Sequence, residues 1–242
     1  MGDLDKADRS QPLHCMFTTV PPRYDLINTL ITWGFDRQWR RRAARECLAS
    51  RPGEVLDLCC GTSDLAINLA RLDRDEMTVV GIDYSQPMLK LANIKAASAA
   101  GGREISFLYG DAAALPFPKN FFGCVGISFA FRNLTYQNLL TRRCLAEVLR
   151  VLKPGGRFVV VETSQPGLKL IRKLYHLYLR WFVSPLGSLL SGNQGAYRYL
   201  AESAAHFYRA GEVKELLLQT GFGEVSYQPL FLGVAGIHVA VK

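Results

Sequence analysis

The sequence lacks a hydrophobic run long enough to cross a membrane. Its longest apolar stretches, residues 121–131 and 230–241, span 11 and 12 residues, whereas a transmembrane helix needs about 20. The first residues are polar and mixed in charge, without the apolar core of a secretory signal. These absences exclude a transmembrane helix and predict a cytoplasmic protein.

Metal-binding and redox patterns are also missing. None of the six cysteines forms a CxxC or CxxxC pair, so the sequence indicates neither a zinc site nor a thioredoxin-like site, and we expect no metal. Four of the cysteines lie in apolar runs or predicted elements, which suits buried thiols in a reducing cytosol. Cys59 and Cys60 are adjacent, and we interpret them as packing residues because no cationic cluster is evident near them.

Acidic residues are scarce relative to basic ones. The chain has 21 Asp or Glu against 29 Lys or Arg, a net charge of +8. Six arginines fall within residues 36–51, and five basic residues with no acid fall within 168–182. No RNP pattern, zinc finger or long basic tail is present, so we expect no nucleic-acid partner. An acidic ligand or an anionic lipid surface is the kind of partner that the charge indicates.

Short β runs alternate with helices from residue 54 onward. Strands are predicted at 54–59, 77–83, 104–110, 123–131, 157–163, 223–230 and 232–241. Helices are predicted at 62–72, 87–97, 136–152, 168–190 and 211–219, after two helices within 23–50 that break at Trp33-Gly34. This alternation predicts an α/β fold with a doubly wound, mostly parallel sheet whose last two strands pair like a hairpin.

The chain contains no internal repeat, linker or low-complexity tract, so we expect one domain with elaborations. Its expected parts are a loose tail at 1–15, an N-terminal helical cap at 16–52, a cofactor-binding core at 53–166, a helical lid or substrate insertion at 167–210, and a C-terminal helix with strands at 211–242.

Acidic residues follow three neighbouring strands of the predicted sheet. Asp57 ends the first strand ahead of the turn Gly61-Thr62, Asp83 ends the second, and Asp111 follows the third. Ligands of doubly wound sheets bind beyond the carboxyl ends of the strands. Asp83 is placed to accept from two ribose hydroxyls, and Asp111 from an exocyclic amine. Because the first turn lacks the three glycines of a dinucleotide fingerprint, a nucleoside without phosphates, such as S-adenosyl-L-methionine, fits better than NAD.

Several segments resemble a known enzyme family. The motif series of class I S-adenosylmethionine-dependent methyltransferases is similar, in order and spacing, to VLDLCCGTSDLA, VVGIDYSQPMLKLA, YGDAAALPFP and EVLRVLKPGGRFVVVE. The family that methylates demethylmenaquinone and a ubiquinone precursor is similar to four further segments, PPRYDLINTLITWGFDRQWRR, ISFAFRNL, VETSQP and AYRYLAESAAHF. The resemblance covers nearly the whole chain. It implies a Rossmann-like, seven-stranded sheet with an antiparallel C-terminal strand, S-adenosylmethionine as cofactor, and a prenylated quinol, above all demethylmenaquinol, as substrate.

The resemblance also implies roles for individual residues. The implied cofactor-binding residues are Asp57, Gly61, Thr62, Asp83, Tyr84, Asp111, Ala112 and Ser128. Asp83 takes the ribose in this scheme, and Asp111 with Ala112 lies along the adenine. The substrate pocket is bordered by Arg132, Asn133 and Tyr24. For Asp57 taken alone, a structural role as a helix cap remains an equal alternative.

Two positions depart from the family pattern. The glycine usual between Thr62 and Asp64 is Ser63 here, and if this position needs a positive φ the serine costs on the order of 1 kcal/mol. The acid often found at the start of the fourth strand is Gly123. A chain that has lost its cofactor and serves as a binding or scaffold protein is therefore one alternative.

Methylation of a ring carbon needs an electron-rich acceptor, so the expected substrate is the reduced quinol, with one hydroxyl deprotonated. We expect Arg132 to stabilise the developing oxyanion because a guanidinium stays charged and donates in a fork. Asn133 and Tyr24 are candidates to bind the other ring oxygen or a water that takes the proton. His206 is the only histidine near the motifs, and packing is its stronger interpretation. A small phenolic or other natural-product acceptor is the alternative substrate.

Residues 168–182 combine a basic stripe with a broad apolar arc. The basic residues are Lys169, Arg172, Lys173, His176 and Arg180. Three interpretations stay open: a packed helix with a solvated basic face, an interfacial lid that contacts an anionic membrane and admits the prenyl chain, or a homodimer interface. The second makes the protein peripheral on the inner face of the membrane.

Overall fold

The computed structural model describes residues 21–73 and 77–242, with side chains from residue 25 onward. The tail expected at 1–15 therefore lies outside the described residues. Within the described ranges, no helix has both the length and the apolar character needed to span a bilayer.

In the described part of the chain, seven strands form one sheet in the order β3-β2-β1-β4-β5-β7-β6. Strands β1 to β5 are parallel, β7 is antiparallel to β5, and β6 is antiparallel to β7. The strands are β1 Glu54–Leu58, β2 Thr78–Asp83, β3 Ile105–Tyr109, β4 Phe122–Ser128, β5 Leu152–Thr163, β6 Glu224–Leu230 and β7 Ala235–Val241. The expected seven-stranded, Rossmann-like sheet with an antiparallel C-terminal strand is confirmed.

Helices cover both faces of this sheet, so its central strands are continuously apolar rather than alternating. The helices are α1 Pro21–Ile31, α2 Phe35–Leu48, α3 Asp64–Leu72, α4 Gln86–Ala99, α5 Phe131–Thr135, α6 Thr141–Val151, α7 Lys169–Tyr178, α8 Ser184–Ser191, α9 Gln194–Ala205 and α10 Ala210–Thr220. A π-helical turn, Leu179–Val183, joins α7 to α8.

Alternate residues of each strand feed two separate cores. Leu56 and Leu58 of β1 pack with Phe122 and Phe158 on one face of the sheet. Val55 packs on the other face in a second cluster that includes side chains of α2 and α3. Burial of both faces fixes the strand register, because a one-residue slip would exchange the two sets of side chains.

The segment after β4 differs from its prediction. The strand expected at 123–131 ends at Ser128, because Phe129 takes a positive φ of 55° and turns the chain into α5. The helix expected at 136–152 begins only at Thr141, since Gln137 also lies in the left-handed region, with φ of 50°. These two turns carry the chain across the carboxyl edge of the sheet.

Gly123 has a packing explanation that the sequence does not reveal. A Cβ at this position would lie 2.2 Å from the carbonyl oxygen of Pro52, a distance at which backbone would have to move. An acidic side chain at Gly123 is therefore incompatible with the loop that precedes β1, and the departure from the family pattern is explained by this close approach.

Buried His238 predicts an acid-sensitive fold. Burial lowers the pKa of this β7 side chain to about 4, and its Nε2 lies 3.1 Å from the carbonyl oxygen of Ala210. Below a pH of about 6.5 the unfolded chain therefore binds a proton at His238, whereas the folded chain does not until the pH nears 4. The free energy of unfolding is thus highest above pH 6.5 and falls by up to about 3 kcal/mol as the pH drops toward 4. His238→Gln keeps a donor for Ala210 and should remove this component. Urea unfolding of both proteins at neutral and acidic pH measures it, and an unchanged pH slope in the variant would refute it.

Candidate active site

Two neighbouring cavities lie at the carboxyl edge of the sheet. The smaller, about 140 Å³, is called the strand-end cavity, and the larger, about 560 Å³, the apolar cavity. Arg40 and Phe129 line both, so the cavities meet at these side chains. The strand-end cavity is lined by Arg40, Asp57, Cys59, Cys60, Gly61, Thr62, Asp64, Leu65, Asp83, Tyr84, Met88, Ser128, Phe129, Ala130 and Asn133.

The turn after β1 forms one wall of the strand-end cavity. Gly61 has a positive φ of 53°, and a Cβ built on it would meet nothing within 4 Å. The backbone at Gly61 therefore faces open space with no side chain over it, so a ligand can approach it closely. The Thr62 hydroxyl is turned away to donate a hydrogen bond to Asp25 of α1, at 2.6 Å.

Asp83, at the end of β2, holds this turn in place. Its two carboxylate oxygens accept from the backbone N–H of Gly61 at 2.8 Å and from that of Ser85 at 2.7 Å. Burial raises the pKa of Asp83, and these N–H donors oppose the rise by favouring the carboxylate. Each oxygen retains acceptor capacity, so the carboxylate is a fixed double acceptor for a diol.

Asp57 has a structural partner. Its buried carboxylate accepts from the backbone N–H of Ala66, in the first turn of α3, at 2.9 Å. Burial is the main reason why the pKa of Asp57 rises to about 8. The side chain also lines the strand-end cavity, so the structure brings it to the expected place while giving it the capping contact that the sequence left open.

Asp111 and Ala112 do not line the strand-end cavity in this structure. Oδ1 of Asp111 accepts from the backbone N–H of Ala113 at 2.8 Å, which closes a turn after β3, and Ala112 is buried. Asp111 still lies close enough for its charge to contribute to the raised pKa of Cys59, a cavity residue. The adenine contact of Asp111 and Ala112 stays a prediction.

Charged side chains that the sequence analysis did not single out surround the strand-end cavity. Lys95 of α4 contacts Asp25 of α1 and Asp64 of α3, both at 2.6 Å. Arg40 of α2 forms an ion pair with Asp36, and its Nε donates to the Ser128 hydroxyl at 3.1 Å. The Lys95 contacts join α1, α3 and α4, and Arg40 links α2 to them because its Nη1 lies 3.7 Å from Asp64. Apart from the Arg40–Asp36 pair, no local motif marks these contacts, because their partners come from distant parts of the chain.

The apolar cavity lies between the sheet edge and the helices α1, α2, α7 and α9. It is lined by Asn28, Ile31, Thr32, Trp33, Phe35, Asp36, Trp39, Arg40, Phe129, Arg132, Thr163, Ile171, Leu174, Tyr175, Tyr178, Leu179, Val183, Leu200, Ala204, Phe231, Leu232 and Val234. A mostly apolar wall with a few polar groups is typical of a site for an apolar small molecule.

Arg132 is a buried cation that lines the apolar cavity, and one of its N–H groups has no hydrogen-bond partner among the described residues. Its Nη1 contacts Glu162 at 3.1 Å and donates to the Thr163 hydroxyl at 2.8 Å, while its backbone N–H donates to the other oxygen of Glu162. The side chain is buried, and its Nε has no hydrogen-bond partner among the described residues. An unpaired buried N–H costs free energy, and the residue that carries it lines the apolar cavity.

Asn133 and Tyr24 were expected beside Arg132 at the substrate. Asn133 lies instead in the strand-end cavity, because the short helix α5 directs successive side chains to different sides. The side chain of Tyr24 lies outside the described residues. Glu162 lies in the segment VETSQP, but its role is not recognisable from the sequence because its partner Arg132 is 30 positions away.

Thiols and histidines do not supply a base here. Burial raises the pKa values of Cys59 and Cys60 well above their usual range, so both stay protonated at neutral pH. His206 is exposed, with Nδ1 at 2.9 Å from the carbonyl oxygen of Glu202, and it lines neither cavity. Both cysteines are therefore neutral packing residues, and His206 is not placed to act.

Ser63 is strained as well as buried, which makes it a site for a stabilising substitution. Its φ is 68°, and its hydroxyl has no hydrogen-bond partner among the described residues. Ser63→Gly should raise the free energy of unfolding by about 1 kcal/mol, because glycine adopts this backbone without strain. Denaturant unfolding measures the gain.

Lys90→Gly, at an exposed position in the middle of α4, is the control and should lower stability by about 0.5–1 kcal/mol, as expected for glycine inside a helix. A loss of stability at both positions would contradict the strain assigned to Ser63.

The doubly wound sheet, the bare glycine turn after β1 and the acid at the end of β2 define a class I methyltransferase. A family model described as the ubiE/COQ5 methyltransferase family matches residues 5–242. The chain therefore belongs to the ubiE/COQ5 methyltransferase family and is a methyltransferase.

Relatives of known name are similar over nearly their full length. A demethylmenaquinone methyltransferase from Thermus thermophilus is 44% identical over 224 residues, covering 93% of this chain and 98% of its own. One from Deinococcus radiodurans is 40% identical, covering 98% and 95%. A ubiquinone/menaquinone biosynthesis C-methyltransferase from Geobacter sulfurreducens is 35% identical, covering 97% and 90%.

Solved structures share the fold at low identity. A SAM-dependent methyltransferase from Thermotoga maritima, described as a possible histamine N-methyltransferase, has a TM-score of 0.57 at 16% identity and covers 91% of this chain and 98% of its own. A SAM-dependent methyltransferase from Aquifex aeolicus has a TM-score of 0.54 at 17% identity, covering 78% and 81%.

Proposed function

We propose that this protein transfers a methyl group from S-adenosylmethionine to a ring carbon of a prenylated quinol, most directly converting demethylmenaquinol to menaquinol. The names of the Thermus, Deinococcus and Geobacter relatives support this acceptor. The observation that carries the proposal is Arg132, a buried cation that lines an apolar cavity and whose Nε has no hydrogen-bond partner among the described residues. This cavity adjoins the strand-end cavity, as donor and acceptor sites of one reaction must.

The strand-end cavity suits the ribose end of S-adenosylmethionine. The Asp83 carboxylate provides the double acceptor for the ribose hydroxyls, and the bare backbone at Gly61 allows close approach. Tyr84 and Ser128 line the same cavity, Tyr84 beside Asp83 and Ser128 fixed by Arg40. When bound there, the cofactor supplies a methyl group activated by an adjacent positive sulfur.

The apolar cavity fits the reduced ring. Its volume of about 560 Å³ is in the range of small-molecule sites, and its wall is mostly hydrophobic. An apolar wall of this kind would favour a reaction that neutralises charge, as methyl transfer from a sulfonium to an ionised quinol does. Holding the ring carbon about 3–3.5 Å from the methyl group can contribute about 7–11 kcal/mol.

Arg132 acts on the quinol oxygen in this mechanism. Its Nε–H donates to the hydroxyl beside the reacting carbon, which favours loss of that hydroxyl's proton and stabilises the oxyanion that pushes electrons into the ring. Glu162 and Thr163 bind the guanidinium through Nη1, which fixes the position of the whole group and therefore of its Nε–H. Asn133, which lines the strand-end cavity, is proposed to bind the water that takes the proton, and the contact of Tyr24 with the second ring oxygen stays a prediction.

Asp83→Asn should weaken cofactor binding without slowing the chemistry at saturating cofactor. The amide keeps one acceptor but loses the charge, and hydrogen bonds to a charged group are worth about 1.5–3 kcal/mol, so the Kd for S-adenosylmethionine should rise by about 10- to 100-fold. Titration calorimetry gives the Kd and initial rates give kcat.

Asp73→Asn, a change at the opposite edge of the sheet where Asp73 accepts from the N–H of Met77, is the control and should leave the Kd unchanged. A fall in kcat with an unaltered Kd for Asp83→Asn would show that Asp83 does not bind the cofactor.

A panel of acceptors tests the proposed substrate. Methyl transfer is measured by product mass with demethylmenaquinol, its oxidised quinone, a demethylated benzoquinol with the same prenyl chain, and a soluble phenol. The proposal expects methylation of the reduced prenylated rings and none of the quinone. Equal rates on the soluble phenol would overturn the prenylated quinol as substrate.

The substrate also sets where the protein works. A prenylated quinol resides in a membrane, so we propose that the protein is cytoplasmic and contacts an anionic membrane surface peripherally. No membrane-spanning helix is required for this contact.

A further inference from the structure

The mouth of the apolar cavity is ringed by exposed hydrophobic side chains. Five residues both line this cavity and are exposed, and together they are called the rim: Trp33, Phe35, Leu174, Phe231 and Leu232. Trp33 is 73% exposed and Leu232 is 69% exposed. The cavity is therefore continuous with an outer apolar surface, which in a monomer in water is unfavourable.

Three of the rim residues have backbone conformations that are unfavourable for their side chains. Trp33, Phe231 and Leu232 have positive φ values of 54°, 40° and 57°, which for bulky side chains cost on the order of 1 kcal/mol each. The Trp33 indole N–H donates to the Tyr178 hydroxyl at 3.1 Å, and its ring stacks on Phe182. The rim is thus a defined surface, and strained exposure of this kind is typical of functional sites.

Helix α7 extends the rim outward. None of its side chains is fully buried, and at helical spacing Leu170, Leu174 and Leu177 form one exposed stripe that continues to Trp181, itself 70% exposed. One flank of this stripe is Ile171, Tyr175 and Tyr178, which line the cavity. The opposite flank carries Lys169, Lys173 and Arg180, which are exposed.

The charge of this region has one sign. Residues 163–201, from the end of β5 to the middle of α9, contain five Lys or Arg and no Asp or Glu. Cations beside an exposed apolar stripe suit a surface of anionic headgroups over hydrocarbon. Tryptophan is the side chain most typical of that boundary, and two of the three tryptophans of the chain, Trp33 of the rim and Trp181 of the stripe, are exposed on this surface.

We propose that the rim and the exposed stripe of α7 dock onto an anionic lipid bilayer, with Lys169, Lys173 and Arg180 at the headgroups and Trp33 and Trp181 at the interface. The apolar cavity then opens into the lipid, and a prenyl chain enters it without crossing water. The substrate part of this inference rests on the proposed function, whereas the docking surface rests on the exposure and charge described here.

Vesicle binding of the full chain, without quinol or cofactor, tests the surface. The protein should float with vesicles of equal parts phosphatidylcholine and phosphatidylglycerol, and much less with phosphatidylcholine alone. Lys169→Glu/Lys173→Glu should weaken this binding at least about tenfold, since each cation near an anionic surface contributes about fivefold. Arg103→Glu/Lys119→Glu changes the same charge on exposed residues that precede β3 and β4, at the opposite edge of the sheet, and should leave vesicle binding unaffected.

Tryptophan fluorescence locates the contact. Brominated lipids should quench the wild-type emission, and Leu170→Ser/Trp181→Ser, whose residues do not line the cavity, should lose vesicle binding while methylating a short-chain quinol in solution normally.

Three results would overturn the docking surface: no vesicle binding, binding insensitive to both double variants, or sedimentation showing a dimer that Leu170→Ser/Trp181→Ser converts to a monomer. Vesicle binding with no methylation of any prenylated quinol would instead overturn the proposed substrate and leave the docking surface standing.

Discussion

Replacing Arg132 by lysine should lower kcat by about 10²–10³ while the Kd for S-adenosylmethionine stays within about twofold. Lysine keeps a charge for Glu162, so the buried ion pair survives, but it has no group equivalent to Nε. Without this donor the ring hydroxyl ionises less readily, and removing one hydrogen-bond donor to an oxyanion typically costs a factor of this size. Arg132 lines the apolar cavity and not the strand-end cavity, which is why cofactor affinity should be spared.

Single-turnover rates with the quinol, together with calorimetry for the cofactor, separate the two effects. Arg150→Lys is the matched control, because Arg150 pairs with Glu147 on α6 and lines neither cavity. If kcat were unchanged in Arg132→Lys, or if cofactor affinity fell in parallel with kcat, the oxyanion role of Arg132 would be wrong.

Glu162→Gln should destabilise the fold by about 3–5 kcal/mol, the usual cost of breaking a buried ion pair from one side. The Glu162 carboxylate, only slightly accessible, accepts from the side chain and the backbone N–H of Arg132, and from both the backbone N–H and the hydroxyl of Thr163. An amide replaces part of this acceptor set with a donor and leaves the guanidinium uncompensated. Urea unfolding at neutral pH measures the loss.

Glu54→Gln provides the contrast, because the Glu54–Lys153 pair is partly exposed and such pairs contribute about 0–1 kcal/mol. The double variant Arg132→Leu/Glu162→Leu should recover most of the stability and none of the activity, since a well-packed apolar pair can replace a buried ion pair. A mild loss in Glu162→Gln, similar to that in Glu54→Gln, would show that the buried pair is not what holds Arg132.

The sheet could be predicted from the sequence because its information is local. Continuous apolar runs fix the central strands, and the acids Asp57 and Asp83 mark where two of them end. The two turns that follow β4 could not be predicted in this way. At these turns Phe129 and Gln137 adopt positive φ values, which neither residue type favours. Packing at the sheet edge imposes these conformations, so no local sequence pattern predicts them.

The candidate site divides in a similar way. Strand-end residues such as Gly61 and Asp83 could be placed from order and spacing alone. The separation of Arg132 from Asn133 into different cavities depends on the direction of a five-residue helix, which periodicity does not give. The contact of Lys95 with Asp25 joins residues 70 positions apart, and the close approach of Gly123 to Pro52 depends on a loop; both require the folded chain.

The most direct test of the central claim, that the two adjoining cavities are the donor and acceptor sites of one methyl transfer, is a single combined measurement. The purified protein is titrated calorimetrically with S-adenosylmethionine carrying a deuterated methyl group, reduced demethylmenaquinone is then added to the same sample, and the product is analysed by mass and fragmentation. The account predicts saturable cofactor binding and a product carrying the intact deuterated methyl group on a ring carbon. An absence of cofactor binding, or a methyl group found on a quinol oxygen, would contradict it.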